Sequence, residues 1–204
     1  MKFKKNTIEL LFTLIVLNIL IFSTSPMSSG PDRVIHDPLV NRVLDSNFLE
    51  NDWFVDSAAD SDVHYFYGKL IGVGEQLSIE GNLWEDILFF SFLQILIISL
   101  SFISFKLFKR FIPVIIIFAI HFFIETLLSS QFDYGPYFPF DMGIAPRALS
   151  MPLGFLSVFF LMEKRYLAST LFLGISTLIH PSNGLLVAII LLGSVFLIEI
   201  INTK

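Results

Sequence analysis

The sequence predicts an all-α membrane protein of about six transmembrane helices, with a long, partly helical first loop on the outer face. Three observations carry that expectation: an extreme apolar composition, charge-poor runs of about span length, and bases kept apart from acids. Of 204 residues, 54% are hydrophobic and 15% charged, and Phe alone supplies 24. With a mean hydropathy of +0.76, the chain is too apolar for a soluble domain of this size. Cys is absent, which excludes a disulfide framework, a thiolate metal site and a cysteine nucleophile. The net charge of -5 hides a segregation that sets the topology.

A hydrocarbon core about 30 Å thick takes about 20 helical residues at 1.5 Å each. Runs at about 7–23, 84–105, 111–129, 148–162, 166–179 and 184–201 meet or approach that length, the fourth and fifth falling short of a full crossing. They read as one membrane domain over 1–204. The first run has a basic start and is followed by Ser23-Thr24-Ser25, as a signal peptide would be. Its apolar stretch is longer than usual and no A-x-A site follows, so a retained signal anchor is expected.

Bases gather at alternate junctions, as cytoplasmic loops require. Lys2, Lys4 and Lys5 precede the first run; Lys106, Lys109 and Arg110 join the second to the third; Lys164 and Arg165 join the fourth to the fifth; Lys204 follows the last. The remaining bases, Arg33, Arg42, Lys69 and Arg147, sit in the segments holding most of the acids. The expectation is an integral protein of the plasma membrane with a cytoplasmic N-terminus, its partner being the lipid bilayer; no nucleic-acid partner is expected.

The first outer loop, about 25–83, is the one long polar stretch. Asp37-Pro38 predicts a cap followed by a proline at the first helical position, with Leu39, Val40, Val43 and Leu44 on one face. Val63, Phe66, Tyr67, Leu70 and Ile71 follow the spacing of an amphipathic helix. Both helices suit the membrane surface. At the loop's end Asn82 is expected to cap the second span with Glu85 closing the pair and Trp84 at the interface. Between the helices, the run from Asp45 through Glu50, Asn51 and Asp52 to Trp53 and Phe54 has two readings. One is a solvated turn; the other has a carboxylate as general base or metal ligand, with Trp53 and Phe54 anchoring the loop in the lipid interface.

Titratable groups near the bilayer are costly and hence candidates. His121 and Glu125 form an i, i+4 pair in the outer half of the third run, either a self-satisfied pair or a functional one; the spacing is not that of H-E-x-x-H zinc proteases. Asp133 and Asp141 lie in a Pro-, Gly- and aromatic-rich connection, and Arg147 stands at the outer end of the fourth run, placed to snorkel, to pair with those acids or to grip a lipid phosphate. His180-Pro181 ends the fifth run at the same face, where a histidine is commonly a capping residue. Ser150 with Gly154, and Thr170 with Gly174, predict close packing of the fourth and fifth helices. All candidate chemistry lies on one membrane face.

The stretch from Asp37 to Phe54, with Arg147 before one run and His180-Pro181 ending another, resembles the C-type superfold of membrane glycosyltransferases, and in particular uncharacterised bacterial multi-pass proteins of that group. The resemblance covers most of the chain through short, degenerate motifs. It implies a polyprenyl-phosphate sugar donor and a catalytic carboxylate in the first outer loop, here Asp37, Asp45 or Asp52. Arg147 would contact the donor phosphate, with His121, Glu125 and His180 on the same face of the substrate site. It also implies a divalent cation at that carboxylate in some members. The chain lacks the adjacent acids or His-Glu pair typical near the first span, Asp32-Arg33 being the nearest. Its length corresponds to an N-terminal half, with a partner supplying further spans. The alternative class is a non-catalytic polytopic protein: an assembly subunit, or a lipid or ion carrier using His121 and Glu125.

Overall fold

The computed structural model describes residues 2–24, 33–52, 55, 65–120 and 146–202. Among them the regular structure is helical: α1 Lys2–Thr24, α2 Arg33–Leu44, α3 Tyr65–Gln76, α4 Gly81–Phe108, α5 over 113–120, α6 Pro146–Met162, α7 Tyr166–Ile179 and α8 Pro181–Asn202. Leu83–Phe108, within α4, is the one described helix long and apolar enough to cross a membrane by length and composition. At 17 and 14 residues, α6 and α7 rise only about 26 and 21 Å.

The helices α4, α6, α7 and α8 form the body of the bundle, with α6 packed against the other three. Two apolar clusters hold it together. One joins Leu17 of α1, Leu93 and Ile97 of α4, and Val114 and Phe118 of α5. The other joins Val40 of α2, Tyr67 of α3, Leu88 of α4, Leu149 and Leu153 of α6, and Ile179 of α7. The first loop is therefore no mere tether. Its two helices pack on each other and sit on the end of the bundle made by the starts of α4 and α6 and the finish of α7.

That end is the platform end; the opposite one is the basic end. There the start of α1, the α4–α5 turn and the α6–α7 turn meet. The Glu9 carboxylate of α1 accepts the Phe111 amide at 2.9 Å and approaches Arg110 at 3.5 Å, capping the entry to α5. Lys106 reaches Glu163 at 2.6 Å across the two turns. Beneath them Phe105 stacks on Phe111, and Phe102 touches both Phe111 and Phe159. The charge alternation read from the sequence thus corresponds to a real convergence of turns.

Between the ends, α6 and α7 are joined by hydroxyls. Ser157 and Ser169 each donate to the other's carbonyl at 2.9 Å, and Ser176 donates to the Ser150 carbonyl at 2.8 Å. The two contacts lie seven residues apart on both helices, so one antiparallel register serves both. Higher on α1 and α4, the Gln94 amide donates to Asn18 Oδ1 at 2.7 Å.

Several local expectations are corrected. Asp37 does not cap α2, because the helix begins at Arg33 and carries Pro38 inside it; so early in a helix the proline removes a single bond, the one to the Val34 carbonyl. α4 starts at Gly81 with Glu80 as its N-cap and no side-chain cap bond, so Asn82 lies within its first turn. Trp84 is directed at α3 rather than held for the interface: its indole N–H donates to the Leu70 carbonyl at 3.1 Å. On α3, Tyr67 is buried but Phe66 is exposed, since the buried face runs through Gly68 and Gly72, which approach Val43 and Leu44. Finally, α7 does not present Thr170 and Gly174 to α6. Thr170 is exposed and bonded to its own helix at Tyr166, and Gly174 meets nothing nearby; Ser169 and Ser176 occupy the interface instead.

Candidate functional site

At the platform end, sequence and fold bring three helix termini together. Pro146 opens α6 and is fully buried, which seats Arg147 half-buried in the first turn. Proline suits that position because it has no amide to satisfy. The Arg147 carbonyl accepts the Ser150 hydroxyl at 3.3 Å, and Ser150 Oγ in turn accepts the Asn183 amide at 2.8 Å. Asn183 belongs to the first turn of α8, directly after His180.

His180 is the joint between α7 and α8. Its backbone N–H closes α7 on the Ser176 carbonyl at 3.0 Å, and its own carbonyl accepts the Gly184 amide of α8 at 3.1 Å. Its imidazole Nδ1 faces the Ser182 hydroxyl at 2.9 Å and the Asn183 amide at 3.4 Å. A backbone amide has only a proton to give, so in that contact Nδ1 is the acceptor. The capping role open from the sequence is thus the geometry found. The joint is tight: a β-carbon on Gly184 would stand 2.5 Å from the Thr177 Cα.

Arg147 and His180, far apart in sequence, are therefore linked through Ser150 and Asn183. The floor is Leu149 and Ile179, and the cover is Val40 and Tyr67 of α2 and α3. The path from Arg147 starts at its backbone carbonyl, so the link fixes the residue's position in the first turn of α6; a guanidinium on such a residue is chemically suited to a phosphate.

The first-loop acids fall differently. Asp37 is exposed on α2. Asp45 and Asp52 are exposed at the two ends of a coiled turn in which Phe48, Glu50 and Asp52 donate back to the carbonyls of Asp45, Asn47 and Leu49. Each also serves the backbone: Asp45 Oδ1 accepts the Asn47 amide at 2.9 Å, and Asp52 Oδ1 the Val55 amide at 3.1 Å. Arg42 braces the same turn through the carbonyls of Ser46 and Phe48. These are turn-forming roles of Asp, each leaving the other carboxylate oxygen out of that backbone bond. His121, Glu125, Asp133, Asp141, Trp53, Phe54, Val63 and Asp32 lie outside the described residues. Among the described residues no three His, Asp or Glu side chains form a metal-binding group.

Sequence reasoning missed Ser150 as a bridge, Asn183, Ser176 and Glu9. Asn183, three residues into a helix after His-Pro, and Glu9, an acid inside the first apolar run, were the available signals. No protein-family model matches this chain, and neither a curated protein nor a solved structure matches it.

Proposed function

We propose that the chain is a six-span integral protein of the plasma membrane, with the basic end cytoplasmic and the platform end outside. One feature supports immersion beyond the length of α4: α1, α5, α7 and α8 carry rows of exposed large aliphatics, such as Leu167, Leu171, Ile175 and Leu178 along α7. Water-facing surfaces rarely carry such rows. Cys is absent from the chain, so single cysteines test the orientation directly. Ser78→Cys should react with an impermeant maleimide in intact cells, and Lys109→Cys only after lysis; the reverse pattern sinks the orientation.

On that topology, the reading best supported is a module of a polyprenyl-phosphate-sugar glycosyltransferase. The observation that carries it is the link from Arg147 through Ser150 and Asn183 to His180, beneath a folded outer loop. Arg147 would hold the donor phosphate bidentately, and Asp37, Asp45 or Asp52 would take the acceptor hydroxyl proton. A partner would supply further spans. Sugar transfer in proteoliposomes is the test. Arg147→Ala should cut it at least 100-fold, and full transfer by the triple Asp37→Asn, Asp45→Asn, Asp52→Asn variant would refute the proposed base. The second reading, a non-catalytic assembly subunit, is favoured by the turn-forming bonds of Asp45 and Asp52. It predicts that the triple variant still retains its partner on purification and that no transfer is seen.

A further inference from the structure

The basic end is more than a topology signal. We infer that its two turns form one site for the phosphate headgroup of an anionic phospholipid, an inference that rests on the membrane reading above. The turns act together because Lys106 pairs with Glu163 at 2.6 Å and the Phe102, Phe111 and Phe159 rings lie beneath both. Both carboxylates described there are committed, Glu163 to Lys106 and Glu9 to Arg110 and the Phe111 amide. Lys109, Lys164 and Arg165 are exposed and have no carboxylate partner among the described residues. A surplus of positive charge is thus concentrated on a chain whose net charge is -5.

Backbone geometry gives an independent indication. Lys109 and Lys164 both adopt left-handed backbone, at φ 58° and 60°. Glycine is the ordinary occupant of such a position after a helix, because any β-carbon there is strained. A lysine at a strained position in each turn indicates that the ammonium groups serve something, and Lys109 Nζ already donates to the Lys106 carbonyl at 3.3 Å. Relief of the helix dipole is one service; an anion is the other. The neighbours favour a lipid as the anion's source. Phe108 and Tyr166 are exposed beside the two turns, and Leu167 is 88% exposed. Cations directly above bare apolar side chains match the layering of a phosphate over acyl chains. Ammonium groups on both turns and one planar guanidinium supply the donors that phosphate oxygens accept.

The experiment uses the full chain in phosphatidylcholine nanodiscs and measures spin-labelled lipid at the protein boundary. The wild type should prefer phosphatidylglycerol over phosphatidylcholine several-fold, and Lys109→Gln, Lys164→Gln, Arg165→Gln together should bring the ratio to about one. Lys109→Gly with Lys164→Gly separates the two services: the ratio should fall while the melting temperature holds or rises, because strain is relieved. A fall in melting temperature with the ratio unchanged would assign the lysines to the helix ends alone and overturn the site. Competition by millimolar inorganic phosphate that abolishes the preference would overturn the commitment to a lipid. A chain that fails to float with vesicles at all would refute membrane insertion itself, whereas one that floats without lipid preference would refute only this site.

Discussion

The two ends of the bundle are held by opposite kinds of chemistry. At the basic end, charge and aromatic rings join segments remote in sequence: Glu9 with Phe111, Lys106 with Glu163, Phe105 with Phe111. At the platform end the contacts are neutral and close, made by Ser150, Ser176, Asn183 and the glycine at 184. An end built on charge can sit among headgroups, where its surplus cations have counterions. At the platform end, Arg42 and Lys69 are spent on backbone carbonyls of the first loop, while Arg147 stands at the start of α6. The difference is one of kind: charge and rings at one end, hydroxyls, a carboxamide and close backbone approach at the other.

The comparison can be broken by disabling one end at a time. Glu9→Ala should have the largest effect, about 2–3 kcal/mol, because it strips a nearly buried carboxylate from backbone amides and Arg110. Chemical denaturation in detergent measures this, and a loss below about 0.5 kcal/mol would show that the cap is dispensable. Gly184→Ala should cost about 1–3 kcal/mol by overpacking against Thr177, while leaving lipid preference at the basic end intact. Ser176→Ala and Ser157→Ala should each cost about 0.6–1.7 kcal/mol; equal values would show that one register serves both ends of α6 and α7. The smallest effect is the Lys106–Glu163 pair. Its side chains are 39% and 32% exposed, so a double-mutant cycle should give under about 1 kcal/mol, and a larger coupling would make that end a charge network rather than a pair.

Much of this was legible from the chain itself, for reasons particular to each element. The convergence of Lys106–Arg110 with Lys164–Arg165 was foreshadowed by charge alternation, because translocation cost leaves a local mark. The buried faces at Leu39–Val40 and at Tyr67 followed from periodicity. The phase of α7 did not. That helix is apolar nearly all round, so Thr170 with Gly174 and Ser169 with Ser176 offer small-residue faces of similar merit, and only the hydroxyls of α6 choose between them. The bonded path from Arg147 to His180 was not legible, since Ser150 and Asn183 carry no pattern that names each other. The carboxylates at Asp45 and Asp52 looked like chemistry and also serve as turn-makers, two uses that one residue type supports equally.

The bond from Glu9 to the Phe111 amide spans 102 residues of chain, and this sets an order of events. A ribosome finishes α1 long before α5 exists, so the carboxylate is in place before its amide is made. Until then α5 has no cap. Any cut that removed α1 would leave the Phe111 amide at the entry to α5 without the Glu9 carboxylate.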